Sequence, residues 1–208
     1  MDEHPTIVID IAEPNDSEAG RKNGTPLPFA FPTVVKHLYT GDYSILGCET
    51  IFAIERKTIA DLVASVTRER ERFERELLRL RSMDFGRLLI VGAKRDIVEG
   101  RYRSKTNPLS VINTLAAFTV RYSSVMMEFA PDEAAAARKI EGWASWFFRE
   151  KIIQHKAMMK GVGVTDIPVE SIEANGKGSP SDSNAEQGAR GGLEKKTQSA
   201  GDTEVEAK

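Results

Sequence analysis

Short apolar runs separated by turn residues fill the first 57 positions, and this pattern predicts β-strands. The first run is β-branched and ends in Asp10. A long stretch of Pro, Asn, Asp, Ser and Gly follows it and predicts a loop over residues 14–33. Turn residues around Gly41 and Gly47 separate the later runs. The predicted strands cover residues 6–11, 34–38, 43–46 and 49–57.

Beyond this point the apolar positions recur every three or four residues, a spacing that predicts amphipathic helices. Thr58 is placed to cap a helix with the apolar stripe Ile59, Leu62, Val63 and Val66. After a charged interruption at residues 67–72, a second helix carries Phe73, Leu77 and Leu80. Later segments predict a strand at 87–91, a helix at 107–122, a strand at 125–129 and a last helix from Pro131.

Strands that come first and then alternate with helices predict the fold class: an α/β protein with a central mixed β-sheet flanked by α-helices. The length of 208 residues suits one such domain and an appendage. The stretch from about Gly161 is rich in Gly, Ser, Glu, Lys and Asn and has no aromatic residue. It cannot bury enough apolar surface to offset its ordering entropy. We therefore expect a folded domain at residues 1–157 and a disordered tail at residues 158–208.

The net charge of −2 is unevenly distributed. From Gly161 onward the chain has nine acidic and five basic residues, so residues 1–160 carry a net charge of +2. This mildly basic domain is compatible with nucleic-acid binding. A single cysteine, Cys48, excludes an internal disulfide, and no apolar stretch reaches the length of a membrane span. We expect a cytoplasmic location and no membrane partner.

Polar residues end an otherwise apolar strand and define the candidate chemistry. Side chains alternate along a strand, so Glu55 and Lys57 project to the same side. A buried unpaired charge is costly, which places both at the rim of the sheet. A hairpin would bring Asp42 near Glu55, and Asp10 is a third candidate carboxylate for this rim. Carboxylates beside a lysine suit Mg²⁺ or Mn²⁺ and the hydrolysis of phosphodiester bonds.

These residues stand in an order that resembles a known family. Gly41-Asp42-Tyr43, Glu55-Arg56-Lys57 and then Asp61 are similar to the GDx–ERKxxxD signature of XPF-type structure-specific nucleases. That family belongs to the restriction-endonuclease-like PD-(D/E)xK group. The similarity covers roughly residues 6–150 and includes the arginine-rich segment after the motif. It implies a restriction-endonuclease-like nuclease fold and a metal-dependent endonuclease.

The resemblance also implies roles for the motif positions. Asp42 and Glu55 correspond to metal ligands, and Lys57 corresponds to the catalytic lysine. Arg56 and Asp61 correspond to positions that support the site. Arg56 would do so through a DNA phosphate or a neighbouring carboxylate. For Asp61 an alternative is a purely structural role, because an acid in the first helical turn is stabilised by the helix dipole.

The resemblance extends to the acidic residues of the opening strand and to the architecture of the family. Asp10 and Glu13 correspond to further acidic positions at the metal, whereas Ala12 replaces an arginine of that element. Eukaryotic and archaeal members carry a tandem helix-hairpin-helix module, and we expect none after Lys151. The resemblance implies a stand-alone domain of bacterial or phage type. It also implies a homodimer or heterodimer, for which the C-terminal helices are the candidate interface.

Two further groups of residues have competing interpretations. The segment from Arg68 to Arg81 holds six arginines and four glutamates, which suits a solvated helix face with i, i+4 ion pairs. Within the charged interruption, however, Arg70 and Arg72 are candidates for contact with DNA phosphates, alongside Arg56. The aromatic side chains Trp143, Trp146 and Phe147 suit core or interface packing better than a platform for stacking bases.

The predicted function is a Mg²⁺- or Mn²⁺-dependent endonuclease acting on branched, flap or fork DNA in repair or recombination. The preference for branched or distorted duplex DNA is implied by the family. One alternative is a DNA-binding or scaffold subunit without catalytic activity. Another is a nuclease of the same fold that cuts four-way junctions or linear DNA.

Overall fold

A computed structural model describes residues 4–11 and 27–162, which belong to one compact unit. Among these residues, six strands form one mixed sheet in the spatial order β2-β1-β3-β4-β5-β6. Strand β1 pairs in parallel with β2, and β3 is antiparallel to both β1 and β4. Strands β4, β5 and β6 are parallel to one another. The strands are β1 (Ile7–Asp10), β2 (Thr33–Lys36), β3 (Tyr43–Ile45), β4 (Phe52–Thr58), β5 (Phe85–Val91) and β6 (Met126–Ala130).

Within the described part of the chain, five helices cover the two faces of this sheet. Four of them occur between β4 and β6, and the longest follows the last strand. The helices are α1 (Ile59–Thr67), α2 (Arg70–Arg81), α3 (Lys94–Val98), α4 (Pro108–Arg121) and α5 (Glu133–Gly161). The predicted mixed sheet with flanking helices is therefore confirmed.

Alternation along β4 divides the core into two layers. Ala53 packs with the apolar faces of α1, α2 and α4, where Phe73 and Phe118 meet edge to face. Phe52 and Ile54 point the other way and pack with α5. The strand is buried on both faces, as expected for the central strand of such a sheet. Glu55 projects to the same face of the sheet as Ala53, so the polar end of β4 faces helices α1 and α2.

The charged interruption is shorter than the sequence predicts. Only Arg68 and Glu69 separate α1 from α2, so Arg70 and Arg72 lie in the first turn of α2 and not in a loop. Alternating charges do not prevent a helix here, because Phe73, Leu77 and Leu80 bury its inner face. The short helix α3 is absent from the sequence prediction. It has five residues and one buried side chain, too little for a recognisable periodicity.

The last helix runs past the predicted domain boundary. Helix α5 begins at Glu133, with Asp132 as its N-cap, and continues to Gly161. The boundary predicted between residues 157 and 158 falls inside it, and the tail from residue 163 lies outside the described residues. Along residues 4–11 and 27–162, no helix is long and apolar enough to cross a bilayer.

Two glycines provide a stability test of this packing. A methyl group added at Gly86 in β5 would overlap the backbone carbonyl of Leu80, whereas one added at Gly142 in α5 would meet no atom within 4 Å. We expect Gly86→Ala to lower the free energy of unfolding by about 2 kcal/mol or more. Gly142→Ala should raise it by roughly 0.5–1 kcal/mol through helix propensity. Urea denaturation of both variants measures these changes, and equal effects would contradict the packing of α2 against β5.

Candidate active site

The antiparallel pairing of β3 with β4 places Asp42 beside Glu55. Tyr43 pairs with Ile54, so Asp42 lies at the next position towards the end of β4. The Asp42 N–H donates to the Ile54 carbonyl at 2.8 Å, and Asp42 Oδ2 accepts from the Arg56 N–H at 2.6 Å. The carboxylate thus replaces a backbone carbonyl in the ladder between the strands. This charge-assisted bond fixes Asp42 against the polar end of β4.

Lys57 lies between two carboxylates. Its Nζ is 2.8 Å from Glu55 Oε1 and 3.0 Å from Glu76 Oε2. The Phe73 ring lies on another side of the ammonium, with its centroid 5.2 Å away. All three charged side chains are at least 86% buried. The site is therefore a desolvated group with two negative charges around one positive charge.

Burial and charge shift the pKa values of this group. Burial raises the pKa of Glu55, Lys57 opposes that shift and Glu76 adds to it. Burial alone would lower the pKa of Lys57, but the Glu55 and Glu76 carboxylates outweigh it and raise the pKa above its ordinary value. In this arrangement Lys57 keeps its proton. It can donate hydrogen bonds and supply positive charge, but it cannot accept a proton from water.

Asp10 reaches the same rim from β1, but its carboxylate points towards β2. Its N–H donates to the Asp42 carbonyl at 2.8 Å, which places the two residues side by side. Asp10 Oδ1 accepts from the Leu38 N–H at 2.7 Å and lies 3.6 Å from His37 Nδ1. Asp10 thus holds the segment that leads from β2 to Asp42. Glu13, the other acidic residue expected here, lies outside the described residues.

The chemistry of the rim fits a hard divalent cation held with few protein ligands. Within residues 4–11 and 27–162, no three His, Cys, Asp or Glu side chains are grouped so as to hold a metal ion. Mg²⁺ commonly uses one or two carboxylates and fills its remaining positions with water and substrate phosphate. Asp42 and Glu55 are neighbouring carboxylates of that kind, and burial makes the Glu55 charge unfavourable without a cation. These two residues therefore fit such an ion.

The two motif residues expected to support the site take different positions. Arg56 is only 8% exposed, which favours contacts inside the protein over contact with a DNA phosphate. Asp61 is exposed, and its carboxylate lies 2.8 Å from the Thr58 hydroxyl, which accepts in turn from the Asp61 N–H. This places Asp61 in the N-terminal cap of α1. A catalytic role for Asp61 remains a prediction.

The arginines proposed for DNA contact are engaged by glutamates. Arg70 Nε lies 3.0 Å from Glu74, and Arg72 lies 3.4 Å from Glu69 and 3.2 Å from Glu76. The interpretation as a helix face with internal ion pairs therefore describes α2. Their role in DNA binding remains a prediction.

The aromatic residues of α5 divide between core and surface. Trp143 and Phe147 pack against Phe85 at centroid distances of 5.8 and 5.9 Å. Trp146 is 63% exposed. Core packing thus accounts for two of the three.

Two features of the site were missed from the sequence. Glu76 was grouped with the solvated charges of α2, although its position three residues after Phe73 and next to Leu77 places it on the buried face. The second feature is a basic segment after β5. Its exposed side chains include Lys94, Arg103 and Lys105. The sequence indicates this basic segment through its composition, since it has five basic and two acidic residues between positions 94 and 105.

The fold and the rim together define a class of protein. The described residues have a restriction-endonuclease-like fold, in which a mixed six-stranded sheet has helices on both faces. One rim of this sheet carries Asp42, Glu55 and Lys57. Residues 28–142, more than half of the chain, match the ERCC4 domain family model. The chain belongs to this family, and the predicted XPF-type nuclease domain is confirmed.

Two solved structures share the fold. XPF from Aeropyrum pernix superposes with a TM-score of 0.51 and 23% identity, covering 67% of this chain and 60% of that one. XPF from the same organism in complex with DNA gives a TM-score of 0.52 and 22% identity, covering 70% and 66%. This chain thus spans less than two thirds of the length of either. No curated protein matches the sequence.

The raised pKa of Glu55 predicts a pH-dependent stability difference. The folded state binds the proton of the Glu55 carboxyl more tightly than the unfolded state does. Protonated Glu55 therefore stabilises the folded state below its ordinary pKa of 4.5, and this stabilisation is lost as the pH rises through the pKa that Glu55 has in the folded state. Glu55→Gln removes the titration and keeps an acceptor for Lys57. We expect Glu55→Gln to gain stability relative to wild type as the pH rises from 5 to 8.

Urea denaturation at several pH values checks this expectation. Each tenfold change in proton affinity corresponds to about 1.4 kcal/mol. Glu71→Gln, at an exposed position of α2, is the matched control. A stability difference that did not vary with pH would contradict the raised pKa of Glu55.

Proposed function

We propose that this chain is a metal-dependent endodeoxyribonuclease that hydrolyses phosphodiester bonds in branched, flap or fork DNA during repair or recombination. The observation that carries the proposal is the convergence of Asp42, Glu55 and Lys57 at one rim, with Asp42 bound to the Arg56 amide. Family membership supports a nuclease acting on DNA. One structural relative, XPF from Aeropyrum pernix, is in complex with DNA, which supports DNA as the substrate.

The residues of the site have separate tasks in this reaction. Asp42 and Glu55 would hold Mg²⁺ or Mn²⁺, which when bound lowers the pKa of water and neutralises charge on phosphate oxygens. Lys57, which keeps its proton, donates a hydrogen bond to the attacking water or to a phosphate oxygen. Its charge stabilises the negative charge that develops on phosphorus-bound oxygens. The Asp42–Arg56 bond keeps the strand end rigid during these steps.

One observation favours a second candidate, a DNA-binding subunit without catalytic activity. Glu55, one of the two ligands, is already bonded to Lys57. If no cation displaced that contact, the rim would be a structural ion-pair group. Cleavage assays separate the two candidates.

The assay uses labelled flap, fork, four-way-junction and linear duplex DNA with Mn²⁺ or Mg²⁺. We expect the wild-type chain to cleave at least one branched substrate, and Lys57→Met to lower the rate by about 10²-fold or more. Asp42→Asn should have a similar effect. Arg81→Met, at the exposed last residue of α2, is the control. Equal rates for wild type and Lys57→Met would refute the proposal, and DNA binding without cleavage would establish the second candidate.

A basic surface beside the rim supports DNA binding. Strands β4 and β5 are parallel and Thr58 pairs with Val91, so the segment after β5 begins at the end of the sheet that carries Lys57. Among the described residues, Lys94, Arg103 and Lys105 form no ion pair, in contrast to Arg70 and Arg72. We propose that these three side chains contact DNA phosphates.

The salt dependence of binding tests this surface. Each phosphate contact adds about 0.9 to the slope of log affinity against log salt. Arg103→Ala/Lys105→Ala should therefore weaken binding and reduce the slope by about 1.8. The control is Arg81→Ala, where α2 ends at the opposite end of the sheet, just before β5. An equal change in the control would contradict the assignment.

Helix α5 supports a further element of the proposal, assembly with a second subunit. Trp146, Ile153 and Met158 are 63%, 52% and 67% exposed along this helix. Exposed apolar side chains on a long helix are typical of an interface. We propose that the chain pairs through α5 with a second copy or a related subunit, and the homodimer is the simplest case.

A further inference from the structure

Glu76 is the second acidic partner of the active-site lysine, and it comes from a different element than the motif residues. It lies in the second turn of α2, and its side chain is 10% exposed. Its Oε2 is 3.0 Å from Lys57 Nζ, nearly as close as Glu55 Oε1 at 2.8 Å. Lys57 is therefore shared between two carboxylates of similar burial.

Glu55 has two competing tasks if it binds a cation. Its carboxylate bonds to Lys57 in the structure, and the same carboxylate is the proposed ligand of Mg²⁺ or Mn²⁺. Moving Glu55 towards a cation weakens its bond to Lys57. A buried ammonium without a partner is strongly destabilising. With Glu55 as its only partner, Lys57 would hold Glu55 away from the cation.

Helix α2 provides the alternative partner for Lys57. Arg72 Nε lies 3.2 Å from Glu76 Oε1, so it holds that oxygen while Oε2 faces Lys57. Phe73, three residues before Glu76, places its ring 5.2 Å from the ammonium. The same helix face thus supplies an oriented carboxylate and an aromatic ring to Lys57.

We propose that Glu76 is a positioning residue that retains Lys57 when Glu55 binds the divalent cation, and that it thereby sets the cation affinity of the site. The inference deepens the proposed function and rests on it for the cation. Glu76 itself neither ligates the ion nor touches DNA. It acts through Lys57, by making Glu55 available.

The test is Mn²⁺ affinity, measured without DNA by the electron paramagnetic resonance signal of free Mn²⁺. Glu76→Gln keeps the size and the hydrogen-bond acceptor but removes the charge, so Lys57 must rely on Glu55. We expect about a tenfold loss of Mn²⁺ affinity. Glu76→Asp, which keeps the charge, should retain most of the affinity and serves if Glu76→Gln fails to fold. Glu74→Gln is the matched control on the same helix, since Glu74 pairs with Arg70 and Arg121.

A double-mutant cycle shows whether Glu76 acts through Lys57. In a Lys57→Met background, Glu76→Gln should lose most of its effect on Mn²⁺ affinity. An undiminished effect there would mean that Glu76 binds or attracts the cation directly, and it would overturn the proposal. Thermal unfolding measured in parallel reports stability. A change in stability with unaltered Mn²⁺ affinity would show a merely structural ion pair and would also overturn it.

Cleavage rates distinguish this inference from the proposed function. We expect the Glu76→Gln rate to fall at low Mn²⁺ and to recover as Mn²⁺ is raised, whereas Lys57→Met should not recover. If wild type cleaves DNA and Lys57→Met does not, while Glu76→Gln matches wild type at every Mn²⁺ concentration, only the role of Glu76 fails. If wild type neither binds Mn²⁺ nor cleaves, both proposals fail.

Discussion

The buried ammonium of Lys57 is the constraint on which the arrangement of the site depends. A charge at the end of a central strand must be balanced, because burial without a partner would cost several kcal/mol. The balance comes from Glu55 on the same strand and Glu76 on the helix packed above it. The position of α2 over β4 thus follows from charge as well as from its apolar face. Any ligand that binds Glu55 must act on this group as a whole.

The topology of the sheet explains why so many polar groups meet at one rim. Strand β3 runs antiparallel to β4 and Tyr43 pairs with Ile54, so Asp42, just before β3, lies beside Glu55. Strand β5 runs parallel to β4, so the segment that follows β5 begins at the same end. The rim therefore combines acidic side chains from the β3 side with basic side chains from the β5 side. An anionic polymer passing this edge would meet the basic segment and the acidic rim together.

Much of this arrangement follows from local patterns in the sequence. Alternation along β4 correctly placed Glu55 and Lys57 on one side, and the turn at Gly41 correctly brought Asp42 to them. Both depend on spacings of a few residues, which strand geometry translates directly into position. The cap of α1 at Thr58 was predicted on the same basis and is confirmed.

The remainder depends on contacts between distant parts of the chain. Asp10 turns its carboxylate to Leu38, a contact across 28 residues that no local pattern contains. Glu76 belongs to a helix rich in charges, and only the packing of that helix on β4 distinguishes it from its exposed neighbours. The extent of α2 was misjudged for a related reason. Burial of its apolar face stabilises a helix through a segment whose charges suggested an interruption.

The most direct test of this active site is a crystal structure of the chain with bound Mn²⁺, located by its anomalous scattering. We expect one ion at the rim, about 2.1 Å from oxygens of Asp42 and Glu55. We also expect that Lys57 then contacts Glu76. An ion bound elsewhere would contradict the assignment of this rim as the active site, whereas an ion at the rim with Glu55 still bonded to Lys57 would contradict only the role of Glu76.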